Sequence, residues 1–162
     1  MHNDLNKNVA EVFRLAIRRG IVGYSDVLSE VEAIIEQIED PSADLVEVYN
    51  SRGVEDLLYA LNDVKGDSSN EMVKIGLMSL LRKRLEDELI TAEQVIKSLY
   101  QIFIEKELEF TDSEREDILR LDDGYDLANS GIYGDVEEVI MEINEFLLNY
   151  SQEGYSQEPY TS

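Results

Sequence analysis

Apolar residues in this chain recur at intervals of three and four and seldom alternate in twos, and that spacing is the tightest constraint on its fold. Intervals of three and four place side chains along one stripe of a helix, whereas a half-buried strand needs a period of two. The pattern predicts an all-α, compact multi-helix domain of about eight helices. The first should cover about Leu5 to Arg19, with Val9, Val12, Phe13, Ala16 and Ile17 inward and Gly20 ending it. Ser25 is the expected N-cap of a second helix that buries Val27, Leu28, Val31, Ile34, Ile35 and Ile38 and stops at Asp40-Pro41. Two shorter helices, on Leu45, Val46, Val48 and Tyr49 and on Val54, Leu57, Leu58, Leu61 and Val64, flank a break at Arg52-Gly53.

After a polar loop at 66–70, Met72, Val73, Leu77, Leu80, Leu81 and Leu85 mark a long helix. Its Arg82-Lys83-Arg84 cluster sits where cations complement the helix dipole. Thr91 with Gln94, and Thr111 with Glu114, match the capping box, in which each side chain satisfies the other residue's free backbone N–H. They open helices on Val95, Ile96, Leu99, Ile102 and Phe103 and on Ile118, Leu119 and Leu121. An irregular glycine-containing stretch is expected from Asp123 to Gly134, before a last helix from Asp135 to Tyr150 on Val136, Val139, Ile140, Ile143, Phe146 and Leu147.

Compared with itself at an offset of 68 residues, the chain repeats its apolar pattern from Val9 to Ile35 in Leu77 to Phe103, and Arg14 matches Arg82. Two related helical hairpins would account for this, as would two unrelated hairpins sharing one spacing. Two such units fall short of a solenoid, which needs three or more. Residues 1–150 are of a size to form one helical domain with one core. Residues 151–162, a Tyr/Ser/Gln/Glu pattern without a hydrophobic face, are expected to form a disordered or loosely docked tail.

The inventory of reactive side chains excludes most chemistry. There is no cysteine, so no disulfide, thiolate metal site or cysteine nucleophile. His2 is the single histidine, which rules out a three-histidine zinc site and a helical di-iron site. Walker and dinucleotide-binding glycine patterns are absent. Carboxylate-only catalysis and magnesium chemistry remain open, yet with 36 acids no chosen pair is informative. Asp126, Gly131 and Glu137 fall at the first, sixth and twelfth positions of a calcium loop, but Ala128 and Ser130 at the third and fifth remove much of the oxygen cage. The expectation is a binding protein without metal or cofactor, not an enzyme. The start of the sequence lacks the apolar run of a signal peptide, and no stretch reaches a membrane span, which points to the cytoplasm.

Charge supplies the positive signal. The formal net charge is -22, from 36 acidic and 14 basic side chains. Such a field repels nucleic acid and draws basic partners, although it also serves solubility. From Gly20 to Ser51 there are eight acids, and from Leu121 onward ten, in both cases with no Lys or Arg. Single-sign faces cost self-repulsion, which a basic partner would relieve. The expected partner-binding face is Asp122, Asp123, Tyr125 and Asp126, continuing to Tyr133, Asp135, Glu137 and Glu138. The two tyrosines either anchor a partner among the carboxylates or pack the loop on the core.

Small, acidic, free of cysteine and without catalytic equipment, the chain resembles in kind the immunity proteins that bacteria pair with secreted or contact-delivered toxins. The resemblance is one of type and carries over no residue. It implies a stable inhibitor that occludes the active or nucleic-acid-binding groove of a basic nuclease, without contacting nucleic acid or membrane itself. A helical adaptor or regulator, or a nucleic-acid mimic, fits the same composition, and a calcium binder or carboxylate-dependent enzyme fits it less well.

Overall fold

The computed structural model describes residues 5–150. Among these residues the secondary structure is eight α-helices and no strand: α1 (Lys7–Arg18), α2 (Tyr24–Gln37), α3 (Ala43–Tyr49), α4 (Val54–Asn62), α5 (Asn70–Glu86), α6 (Ala92–Ile104), α7 (Asp112–Asn129) and α8 (Val136–Leu148). No helix among them is long and apolar enough to cross a membrane. His2 and the tail expected over 151–162 lie outside the described residues.

Two compact units divide the chain, one running to Gly76 and the other starting at Leu77. In the first, α1 packs on α4, and α3 lies against both α2 and α4. Val12, Leu45, Val48, Leu57 and Leu61 are fully buried there. Each such leucine contributes about 1.5–3 kcal/mol over an exposed position. Two polar ties hold the start of α1 to the segment after α4: Lys7 Nζ donates to the Asn62 carbonyl at 2.7 Å, and the Ser69 N–H donates to Asn8 Oδ1 at 2.8 Å. In the second unit, α6, α7 and α8 all pack against one another. Val95, Leu99, Ile102, Ile118 and Ile143 are fully buried there.

The turns that end α1 and α5, 68 residues apart, share one hydrogen-bond pattern, which also ends α6 and α7. After α1, the N–H groups of Arg19, Gly20 and Ile21 bond to the carbonyls of Leu15, Ile17 and Ala16. After α5, those of Asp87, Glu88 and Leu89 bond to Lys83, Leu85 and Arg84, the same three bonds shifted by 68. Both turns pivot on a left-handed residue, Gly20 at φ 72° and Glu88 at φ 59°. The following helices also begin alike. Asp26 Oδ2 accepts from the Gly23 N–H at 2.8 Å, and Gln94 Oε1 from the Thr91 N–H at 2.8 Å.

Several expectations need correction. The N-cap of α2 is Gly23 and not Ser25, because Asp26 reaches back to Gly23 and sets the start two residues earlier. Only Val27 and Val31 of its stripe are buried, and Leu28, Ile34, Ile35 and Ile38 are half-exposed. Val46, Val54 and Leu119, expected inside, are exposed: the short helices α3 and α4 bury only Leu45 and Val48 and only Leu57 and Leu61, and on α7 the buried stripe runs through Ile118 and Leu121 and leaves Leu119 to solvent. The irregular stretch expected from Asp123 is helical as far as Asn129. Lys74, conversely, is buried. Its flanks Val73, Ile75, Leu77 and Met78 are buried as well, so this part of α5 has no wet face, and the ammonium pairs with Glu71 at 3.1 Å.

Candidate interaction surface at the α7–α8 end

Helix α7 continues through Gly124 because its ends and one flank are fixed from outside. Thr111 and Glu114 form the expected capping box at its start, with Glu114 N–H to Thr111 Oγ1 at 3.1 Å and Thr111 N–H to Glu114 Oε1 at 2.8 Å. Beyond the apolar contacts of Ile118 and Leu121, Lys97 of α6 donates to Asp122 Oδ1 and to Asp126 Oδ1, each at 2.8 Å. Those aspartates are four residues apart, one helical turn, so the lysine clamps the turn that contains Gly124. A helix-interior glycine costs about 0.5–1 kcal/mol relative to alanine, which the clamp and the buried flank offset. Burial opposes the charge on Lys97, but the hydrogen bonds and attraction of Asp122 and Asp126 prevail and hold its ammonium above the usual lysine range.

The α7–α8 connection is a glycine-terminated helix end. The Ile132 N–H bonds to the Leu127 carbonyl at 2.9 Å, and Gly131 at φ 75° supplies the left-handed turn. In such a cap the residue after the glycine commonly tucks its apolar side chain against the last helical turn. Here Ile132 is 72% exposed and Tyr133 76% exposed. Asp135 then caps α8, accepting from the Glu137 N–H at 3.2 Å, and Glu137 and Glu138 stand exposed in the first turn, favourably placed against the helix dipole.

The expected face therefore separates into parts with different roles. Asp122 and Asp126 hold α6 to α7, and Asp135 holds its own helix end. Asp123, Tyr133, Glu137 and Glu138 project into solvent, and Tyr125 is half-buried on α7. The alternatives left open for the tyrosines thus divide: Tyr133 does not pack on the core. The calcium frame fails geometrically, since its first four positions, Asp126 to Asn129, are the last turn of α7 and do not wrap around a common centre. Among the described residues no group of three or more acidic or histidine side chains is placed to hold a metal ion.

Sequence reasoning missed Met141. It is 62% exposed on the outward side of α8, and its neighbours one turn away or adjacent on that side are Glu137, Glu138, Glu142 and Glu145. Arg120 of α7 pairs with Glu142 at 3.1 Å. The exposure of Met141 was open to recognition in the sequence, because Val139, Ile140, Ile143, Phe146 and Leu147 already fill the inward stripe and leave position 141 opposite. Comparison of the chain with protein-family models, with curated proteins and with solved structures finds no match.

Proposed function

We propose that this chain is a non-catalytic acidic inhibitor of the immunity-protein kind, which binds a basic nuclease toxin and covers its active or nucleic-acid-binding groove. The observation that carries the proposal is the α7–α8 end: Asp123, Glu137 and Glu138 are exposed together with Ile132 and Tyr133 in a stretch that has no Lys or Arg from Leu121 onward. A nuclease must gather basic side chains to hold phosphates. A rigid carboxylate surface meets that groove with charge-assisted hydrogen bonds and speeds encounter by electrostatic steering, and blocking it requires no chemistry.

The test is affinity capture of the tagged chain from its native cells at low and then moderate salt, followed by nuclease assays on what is retained. One basic nuclease, silenced at a stoichiometric ratio, is the expected outcome. A retained partner whose activity is untouched would replace the inhibitor with an adaptor, and retention of nothing would leave the acidity a role in solubility. Charge reversal belongs at Asp123, Glu137 and Glu138. The same change at Asp122 or Asp126 would break the grip of Lys97 and confuse binding with folding.

A further inference from the structure

We infer that Met141, Ile132 and Tyr133 are apolar anchors, and that the partner they fit is a cationic protein segment carrying an apolar stripe between its Lys or Arg residues. This inference rests on the proposed use of the α7–α8 end and specifies what that end recognises. Charge alone would leave the surface indiscriminate, since any polycation satisfies carboxylates. The three exposed apolar side chains supply discrimination, because burying them needs a matching apolar surface on the partner.

The choice of occupant follows from complementarity. Met141 is surrounded on its face of α8 by Glu137, Glu138, Glu142 and Glu145, and Glu142 alone of these is paired with a cation, Arg120. A second copy of this face would bring glutamates against glutamates, and an anionic lipid surface would be repelled in the same way. A partner with an apolar stripe flanked by Lys or Arg meets both features at once. The methionine thioether is flexible and polarizable and adapts to side chains of different shape, and tyrosine offers a rigid ring with a polar tip. Interfaces commonly have this anatomy, an apolar centre inside a polar rim.

The experiment titrates the full chain, with labelled methionine and isoleucine methyl groups, against two synthetic peptides about 18 residues long, enough to be helical. One carries leucine along a single helical face and lysine elsewhere, and the other has serine at every leucine position and the same charge. Titrations run at about 0.05 M and about 0.5 M salt, where charge attraction is respectively strong and largely screened. The leucine peptide should shift the Met141 and Ile132 signals and stay bound at the higher salt, while the serine peptide is released. The triple variant M141S/I132S/Y133S changes exposed residues only and should weaken the leucine peptide about tenfold or more, leaving the serine peptide unaffected.

Equal binding of the two peptides, indifference to the triple variant, or self-association of the chain through this face would overturn the inference. So would a leucine peptide that perturbs α4 around Tyr59, another exposed ring at 71%, in place of α8. The two proposals fail separately. A peptide bound at Met141 with no nuclease silenced removes the inhibitor and keeps the anchors, whereas a nuclease silenced equally by the triple variant removes the anchors and keeps the inhibitor.

Discussion

The helix pair α1–α2 and the helix pair α5–α6 turn on the same hydrogen bonds and are buried very differently. The turn after α1 uses Gly20 at the left-handed position, and the turn after α5 uses Glu88. The next helix starts from Gly23 with Asp26 in one case and from Thr91 with Gln94 in the other. Burial diverges after that. Helix α2 buries Val27 and Val31, whereas α6 buries Ala92, Val95, Ile96, Ser98, Leu99 and Ile102. Ile21 is 3% exposed and its counterpart Leu89 58% exposed. Chain reversal is a local property that several residue combinations satisfy, while burial depends on what each helix meets: α6 packs on α7 and α8, and α2 on α3.

The largest test of this contrast removes the same side chain from the two pairs. Ile102→Ala should cost about 2–5 kcal/mol, the range for truncating a fully buried large residue. Ile34→Ala, at the equivalent but half-exposed position, should cost about 1 kcal/mol. Equal losses in urea denaturation would break the contrast. Next comes the turn residue. Gly20→Ala should cost about 1–2 kcal/mol from its left-handed backbone alone, since nothing lies within 4 Å of an added Cβ. Glu88→Gly should instead be neutral or slightly stabilising, and a clear loss there would show that the two turns are not equivalent.

Removing the clamp of α7 should have a smaller effect. Lys97→Met should cost about 1 kcal/mol, a modest figure because the side chain is 38% exposed and solvent screens the pairs. The folded pKa of Lys97 is raised, so its contribution is whole below the unfolded lysine value of about 10.4 and disappears as pH climbs through the folded value. Wild type should therefore lose this stability in the alkaline range, and Lys97→Met should show no such loss in pH-dependent unfolding. The smallest expected change is a gain. Gly124→Ala should stabilise by about 0.5–1 kcal/mol in thermal unfolding, because an added Cβ would meet Val139 Cγ2 at 4.0 Å, an ordinary contact.

Local signals in the sequence translated well. The Thr91–Gln94 and Thr111–Glu114 boxes are present as expected, and the stripe of α8 is buried at Val139, Ile143, Phe146 and Leu147. The errors arose where distant residues decide. Gly124 looked like a helix breaker because Lys97, which grips Asp122 and Asp126, lies 25 and 29 residues away. That distance also hid the structural duty of two of the expected binding aspartates. The burial of Lys74 was invisible for a related reason, since a charge at a helix position is assigned to water until the neighbouring elements are known. On the outward face, the exposure of Glu137 and Glu138 was legible because they are local to one helix start, that of Tyr133 was left open between two readings, and Met141 could be found by subtraction from the inward stripe.

The two ties between the start of α1 and the segment after α4 give the loop at 63–69 an unusual gatekeeper. Lys7 holds the carbonyl of Asn62 just before that loop, and Asn8 holds the N–H of Ser69 at its far end, so one helical turn secures both ends of a segment about sixty residues further along. An extension or trimming that unwinds residues 7 and 8 would release this loop at both ends. Protease nicking at 63–69 is thus a sensitive gauge of whether a given version of the chain keeps a properly wound first turn.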